Sequence, residues 1–319
     1  MARRTSNKIQ PAVLTIPLIA QALPGQLTKK FIDLSQITSL MNRRFYRQGL
    51  NWAVAGFKVT AAHNTETPSG TVFVNKLPNT WISSNAWEKA FRSWNKQQMD
   101  AIEDAGAESA VARFRDFKIH ADVAHVTAGF SNNWLPSGYL PGEWEPSQVV
   151  IPNILPDASG TNIDPQEVLL HMVGINNNGG ISRGIIEGYA DSRAFPQSPD
   201  PVSPDINSNN NWLRQMFDVG NDNQDITDNA TNRNDNLPYP QTDYPGGETQ
   251  APNLEVHDFQ LLSGTSIGGT TRLKGGNFPA GLIEVSYFND TIEEATISLL
   301  IDLVPGHHRG YLCEPMTEM

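Results

Sequence analysis

Residues 254–304 read LEVHDFQLLSGTSIGGTTRLKGGNFPAGLIEVSYFNDTIEEATISLLIDLV, a stretch that is typical of a β-rich protein. It contains four segments rich in β-branched, aromatic and leucine residues, separated by turns of Gly, Asn, Asp and Pro. Such segments form strands because their side chains pack well on a pleated, half-buried surface. We predict strands at 254–262, 270–274, 281–288 and 295–304.

The first half of the chain repeats this pattern. Residues 51–62 and 70–77 are predicted strands, and the polar link between them suggests a hairpin. Further strands are expected at 111–126, 149–155 and 168–175. Many short strands with long loops and few helices indicate an all-β protein, a β-sandwich or a jelly roll, to which both ends of the chain contribute.

Two helices interrupt the strands. Residues 33–41 form a short one that Asp33 or Ser35 would cap, and residues 84–105 form the clearest one, with Ser84 as a plausible cap. Residues 185–190 and 212–219 are shorter helical segments. We divide the chain into an extended arm (1–30), one domain (31–304) with a loop insertion at about 176–252, and a tail (305–319).

Aromatic residues stand out on the long helix and just before it. Core packing or contact between copies explains them better than a sugar-stacking platform, which stays an alternative. The predicted interface residues are Trp81, Trp87, Phe91 and Trp94.

Charge is divided unevenly along the chain. The first 98 residues hold 13 basic and three acidic side chains, a net charge of +10, whereas the remaining 221 carry −21 and the whole chain −11. The basic part could meet phosphate, and the acidic part could face solvent; a scatter without function is the alternative. Arg43, Arg44 and Arg47 equally suit the end of the short helix, where cations favour the helix dipole. The nucleic-acid-binding candidates are Arg3, Arg4, Lys8, Lys29, Lys30, Arg43, Arg44 and Arg47.

Catalytic and metal motifs are weak. The scattered histidines match no catalytic pattern, so we expect no enzyme activity and no cofactor. Residues 218–228 are rich in Asp and Asn and allow Ca²⁺ between subunits, although the glycine and closing glutamate of an EF-hand are missing. The single cysteine, Cys313, is expected to be a buried apolar residue, with a reactive thiol as the alternative. No stretch has the roughly 18 apolar residues of a membrane span, so we expect no membrane insertion.

Several stretches resemble the capsid proteins of circular, Rep-encoding single-stranded DNA viruses known mainly from marine and aquatic metagenomes. They are DLSQITSLMNRRFYRQGLNWAVAGF (33–57), KLPNTWISSNAWEKAFRSWNKQQM (76–99), AVARFRDFK (110–118), GYADSRAFPQSPDP (188–201), residues 234–247 and LVPGHHRGYLCEPMTEM (303–319). The likeness runs over most of the chain. The N-terminus departs from the family, whose capsid proteins usually carry a longer basic arm.

This resemblance implies a viral jelly-roll subunit. It would assemble with copies of itself, 60 in the simplest (T=1) icosahedral shell, around circular single-stranded DNA bound without sequence preference. The protein would then be assembled inside the host cell and reside in the virion, with the host receptor unknown. Two alternatives stay open: a double jelly-roll coat protein of a membrane-containing phage, which the short basic arm favours, and a carbohydrate-binding jelly-roll module.

Overall fold

The computed structural model describes residues 11–62, 69–107, 109, 115–151, 165–175, 182–194, 226, 228–229, 244–247, 253–263 and 269–319. Within these residues the fold is mostly β, as predicted, with a few helices. Two antiparallel sheets pack face to face, and a group of helices with a small third sheet covers one end of them.

The first sheet places strands from both ends of the chain side by side. Strand β11 lies between β1 and β3, and β9 pairs with the other edge of β3. Strand β14 continues beside β3 beyond the end of β11, where Cys313 lies opposite Trp52. The bounds are β1 (Thr15–Ala22), β3 (Leu50–Ala62), β9 (Thr270–Phe278), β11 (Ala295–Leu303) and β14 (Cys313–Pro315).

The second sheet has the order β2, β10, β4, β8, with every neighbouring pair antiparallel. Its bounds are β2 (Leu27–Asp33), β4 (Ser69–Lys76), β8 (Glu255–Ser263) and β10 (Leu282–Asn289). The alternation of buried and exposed residues in these strands turns one face of each sheet toward the other. The shared core is apolar, and its buried members include Leu18, Phe57, Val74, Val285 and Leu299.

A second core lies at one end of the sandwich. Helix α2 (Trp81–Asp104) packs there against α4 (Ile185–Ala194) and a small sheet, and Leu282 and Met316 join this core from the sandwich side. The small sheet consists of β5 (Gln148–Ile151), β6 (Gln166–His171) and β7 (Ser182–Gly184). The remaining helices are α1 (Leu34–Asn42), between β2 and β3, and α3 (Val123–Ala128). Strands β12 (Pro305–Gly306) and β13 (Gly310–Tyr311) form a short hairpin.

The structure differs from the predicted course of the chain at three places. Residues 15–33, assigned mainly to an extended arm, form β1 and β2, because their buried side chains complete the sandwich core. The tail at 305–319 contributes β14 and buries Met316. The expected hairpin of β3 and β4 does not form, because the two strands belong to opposite sheets.

The strand expected at 111–126 is also absent from its described part. Residues 115–119 belong to no strand, His120 makes only an isolated bridge to His171, and α3 begins at Val123, where the Asp122 carboxylate accepts the His125 N–H at 2.8 Å. Asp122 therefore caps a helix in a segment whose residue pattern had predicted a strand. For α2 the cap is Thr80 and not Ser84, since Thr80 Oγ1 accepts the Ser83 N–H. No helix in the described ranges is long and apolar enough to cross a membrane.

Candidate nucleic-acid interface

The predicted arginine triplet lies together on one loop, between α1 and β3. Asp33 caps the start of α1 by accepting the N–H groups of Ser35 (2.9 Å) and Gln36 (3.2 Å). The helix ends at Arg43, whose φ of 54° is left-handed and turns the chain away. The side chains of Arg43, Arg44 and Arg47 are exposed on the loop that follows. We call residues 43–47 the arginine loop.

Arg47 also has a structural partner. Its guanidinium lies 3.6 Å from the carboxylate of Asp116, whose side chain is only 6% exposed. Gln48 donates its N–H to the same carboxylate at 3.0 Å. Burial still raises the pKa of Asp116 above its ordinary value, against the lowering effect of Gln48, Lys118 and Arg47. Arg47 therefore compensates a buried charge as well as offering a cation to solvent.

A second strained residue holds the arginine loop from the other side. Arg309, in the turn between β12 and β13, has a left-handed φ of 52° and donates a hydrogen bond to the Phe45 carbonyl. A non-glycine residue with such a φ carries backbone strain, which often marks a functional site. Arg309 also brings a further exposed cation beside the loop.

Two more cations reach this region from residues 115–118. The Arg115 guanidinium lies 5.4 Å from the ring centre of Trp94 and donates to Asn95 Oδ1 at 2.7 Å. The Lys118 ammonium lies 5.0 Å from the ring centre of Trp144. No sequence pattern predicts this grouping, because Arg115 and Arg309 are far from the arginine loop along the chain.

Two cavities flank the arginine loop, and Phe45 lines both. The larger, of about 730 Å³, lies toward α2, and we call it the arginine cavity. Its charged lining consists of Arg47, Arg115, Arg309 and Asp116, and its aromatic lining of Phe45, Trp87, Phe91, Trp94 and Phe117. The smaller, of about 450 Å³, lies toward residues 141–144 and includes Arg43, Arg44 and Trp144. Basic and aromatic side chains thus line the cavities on both sides of Phe45.

The other predicted nucleic-acid residues do not join this group. Lys29 and Lys30 are consecutive in β2, so their side chains point to opposite faces of the sheet. Lys29 pairs with the buried Glu284 at 3.6 Å. Arg3, Arg4 and Lys8 lie outside the described residues.

The predicted interface residues belong largely to the chain's own second core. Trp87 is 7% exposed and Trp94 is 6% exposed, and both pack on Phe117. The half-buried Phe91 stacks on Trp87 at 5.3 Å. Trp81 is half-buried. Two of the four side chains therefore leave little surface for another copy, because they hold α2 against residues 117–121. A contact through Trp81 or Phe91 stays a prediction.

An apolar surface lies on the outer face of the second sheet. Strand register sets Leu27, Phe288, Thr71 and Leu261 in one row across all four strands. The next row brings Phe73 against Phe259, with ring centres 5.8 Å apart. Exposure is 36% at Phe288, 48% at Leu27, 57% at Phe259, 60% at Val256 and 69% at Leu261. We call these five residues the apolar face.

Three buried histidines, His120, His125 and His171, lie close together, which their spacing in the sequence did not suggest. The rings of His120 and His125 have centres 4.9 Å apart, and residue 120 bridges to His171. Burial lowers the pKa of all three, to about 3 for His120 and about 4 for the others. Among the described residues, no group of three or more His, Cys, Asp or Glu side chains is placed to hold a metal ion. The calcium candidate at 218–228 lies mostly outside the described residues.

Cys313 is half-buried, and burial raises the pKa of its thiol to about 12. The thiol is therefore protonated at neutral pH, which argues against the reactive alternative.

Comparisons of the chain with protein-family models, curated proteins and solved structures find no match.

Proposed function

We propose that this chain is the major capsid protein of a small virus and that it assembles with copies of itself into an icosahedral shell around single-stranded DNA. The observation that carries the proposal is the pairing of the eight long strands, which favours a jelly roll. The sequence resemblance points the same way.

The pairing is that of a long hairpin rolled up on itself. The two large sheets contain eight long strands besides the short β14, and of these eight the first pairs with the last (β1 with β11) and the second with the seventh (β2 with β10). The third pairs with the sixth (β3 with β9), and the fourth with the fifth (β4 with β8). Two further pairs, β11 with β3 and β10 with β4, join these hairpin layers into sheets. Jelly rolls of eight strands occur in viral capsid proteins, lectins and cupins, so function has to be argued from surfaces.

The apolar face supports self-association. Soluble monomers rarely leave contiguous apolar surface of this kind in water, and such patches mark contacts with other molecules. On the same outer surface, α3 and the turn after it cover β2 at Phe31, whose ring stacks on His125 at 4.5 Å and whose carbonyl accepts the backbone N–H of Trp134. A second copy of the chain would supply the cover that the apolar face lacks.

The arginine loop supports contact with a packaged strand. It gathers exposed cations next to aromatic rings, the combination with which proteins hold single strands without sequence preference. It belongs to the basic first 98 residues of the chain. The acidic loops from 196 to 252, expected to face outward, lie largely outside the described residues.

Two other functions are less well supported. A carbohydrate platform on Trp81, Trp87 and Trp94 would need exposed rings, and two of these are buried. A double jelly-roll coat protein would contain two sandwiches, whereas the described residues form one sandwich of a five-stranded and a four-stranded sheet. We propose a single barrel without enzymatic activity.

The test is assembly of the purified full-length protein. We expect hollow particles of uniform size in electron micrographs, with a mass near that of 60 copies for the simplest shell, and elution ahead of monomer in size-exclusion chromatography. A protein that stays monomeric across a range of salt and pH would refute the proposal.

A further inference from the structure

We infer that the arginine cavity binds a nucleotide, with the phosphate on its arginines and the base against its aromatic lining. The inference rests on the proposed function, since it assigns one nucleotide of the packaged strand to this cavity. It goes further, because it names the site and the two parts of the ligand.

The charge of the cavity favours an anion. Three arginines, Arg47, Arg115 and Arg309, line it together with a single carboxylate, that of Asp116. That carboxylate already pairs with Arg47. The cavity thus keeps an excess of cations, although the chain as a whole carries −11. Guanidinium groups offer a fork of donors that fits phosphate oxygens.

The arginines are held in place before any ligand arrives. Arg115 is fixed by Asn95 and by the Trp94 ring, and Arg309 by the Phe45 carbonyl and its strained backbone. An arginine bound at one nitrogen retains other N–H donors for a phosphate. Because less side-chain entropy is lost on binding, such prearranged cations bind more tightly than mobile ones.

The size and walls of the cavity favour a base as well as a phosphate. Its volume of about 730 Å³ falls within the usual range for small-ligand sites, far more than an inorganic anion needs. Phe45 and Phe91 are its half-buried rings, so each retains some surface on which a flat base could stack. Stacking on aromatic rings tolerates any base, as a shell around a whole genome requires.

The experiment measures binding of thymidine 5′-monophosphate to the full-length protein by equilibrium dialysis, with inorganic phosphate as the comparison. The test variants are Arg115→Gln, alone and combined with Arg309→Gln. Arg272→Gln is the matched control, because it removes an exposed arginine from β9, outside the cavity lining. We expect affinity to fall roughly tenfold for each cavity arginine and by less than about twofold for the control.

A third variant separates base from phosphate. Phe45→Leu keeps an apolar side chain but removes the ring, so it should weaken nucleotide binding and leave phosphate binding unchanged. Equal affinity for phosphate and nucleotide in the unchanged protein, or nucleotide binding unaffected by the double variant, would overturn the inference.

Particle formation distinguishes the two proposals. If particles form but no nucleotide binds in the arginine cavity, the shell proposal stands and the inference fails. If nucleotide binds with the expected variant pattern and no particles form under any condition, the cavity stands and the shell proposal fails.

Discussion

The hydrogen bonds of one buried residue, His125, affect how the stability of the protein depends on pH. Its Nδ1 accepts the Ala121 N–H at 3.1 Å and its Nε2 lies 2.9 Å from Asn133 Oδ1, so the ring sits as a neutral tautomer that donates through Nε2. A second proton on Nδ1 would break the bond to Ala121. Burial and this arrangement agree with a pKa lowered to about 4.

We predict that His125 makes the protein less stable in acid. An unfolded histidine gains a proton near pH 6.5, whereas folded His125 gains one only near pH 4. Between these values the unfolded chain binds more protons, so the free energy of unfolding falls as pH falls, by up to about 1.4 kcal/mol per pH unit. Asp33, whose pKa burial raises to about 6, acts in the opposite direction.

The measurement isolates His125 from the other groups. Denaturant unfolding of the protein and of His125→Gln is compared from pH 7.5 to 4.5, and the difference between the two curves is the His125 contribution. The variant should be less stable at neutral pH, because it loses the stacking on Phe31, but should lose less stability in acid. Parallel curves would contradict the prediction.

The arginine loop allows a second residue-scale prediction. Arg43→Gln should weaken binding of a single-stranded oligonucleotide and reduce its salt dependence by about one counterion, with little change in stability. Arg47→Gln should also weaken oligonucleotide binding and reduce its salt dependence. In addition it should lower the free energy of unfolding by about 1–2 kcal/mol, because the buried Asp116 carboxylate loses its arginine partner. Affinity measured at several salt concentrations, together with denaturant unfolding, separates the two roles. Equal stability of the two variants would show that the Arg47–Asp116 pair contributes nothing.

At the scale of an element, the irregularity in β3 depends on a glycine in its neighbour. Register shifts where Leu303 faces Val54 and Asp302 faces Gly56, so Ala55 is an extra residue that forms a β-bulge. Gly275 of β9 lies opposite this bulge, and a Cβ on it would meet the Val54 carbonyl at 2.2 Å and that of Ala55 at 2.3 Å. The bulge lets Val54 and Phe57 both face the core, although they are three positions apart, a spacing that puts two residues on opposite faces of a regular strand.

We predict that Gly275→Ala destabilises the sandwich by roughly 1–3 kcal/mol, because backbone must move to admit the methyl group. Gly188→Ala is the matched control. Gly188 lies in α4 with nothing within 4 Å of an added Cβ, so the change should be neutral or stabilise by up to about 1 kcal/mol. Thermal unfolding of both variants tests this, and similar melting temperatures for the two would count against the bulge argument.

Strands and helices with strong local patterns could be predicted from the sequence. The strands β3, β4, β8, β10 and β11 and the helices α1 and α2 lie within a few residues of their expected bounds. The predictions failed where pairing with residues far away in the sequence determines the local structure. Pro17 breaks a local pattern, yet β1 is an edge strand beside β11, where a missing N–H is tolerated. The predicted hairpin of β3 and β4 does not form, because the chain passes from one sheet to the other between these two strands.

The candidate site was only partly predictable for the same reason. The grouping of Arg43, Arg44 and Arg47 could be predicted because these residues are close together in the sequence. Arg115 and Arg309 were missed, since no local pattern indicates that residues so far apart in the chain line one cavity. The spacing of the tryptophans along α2 predicted either core packing or contact with another copy. The folded structure shows that Trp87 and Trp94 are buried in the second core.

At the scale of the whole molecule, the strand pairing joins the two ends of the chain. Residue 15 lies opposite residue 302, and Leu303 donates its N–H to the Leu14 carbonyl. A fold closed by such distant pairs has to pay a large loop-closure entropy before its core forms, so we expect folding to be slow. Until β11 pairs with β1 and β3, the core-facing apolar surfaces of both sheets stay open to other chains, and folding and aggregation compete for them.

The apolar face yields the last prediction, which concerns assembly. Phe259→Gln with Leu261→Gln should prevent or strongly weaken particle formation, because both side chains are more than half exposed and would be buried between copies. The fold should be retained, since neither side chain belongs to the sandwich core. Leu140→Gln is the control: Leu140 is 80% exposed and lies outside the apolar face. Analytical ultracentrifugation and electron microscopy measure assembly, and circular dichroism checks the fold. Normal particles from the double variant would mean that the apolar face is not a contact between copies, and the contacts would then have to be sought elsewhere, beginning with Trp81 and Phe91.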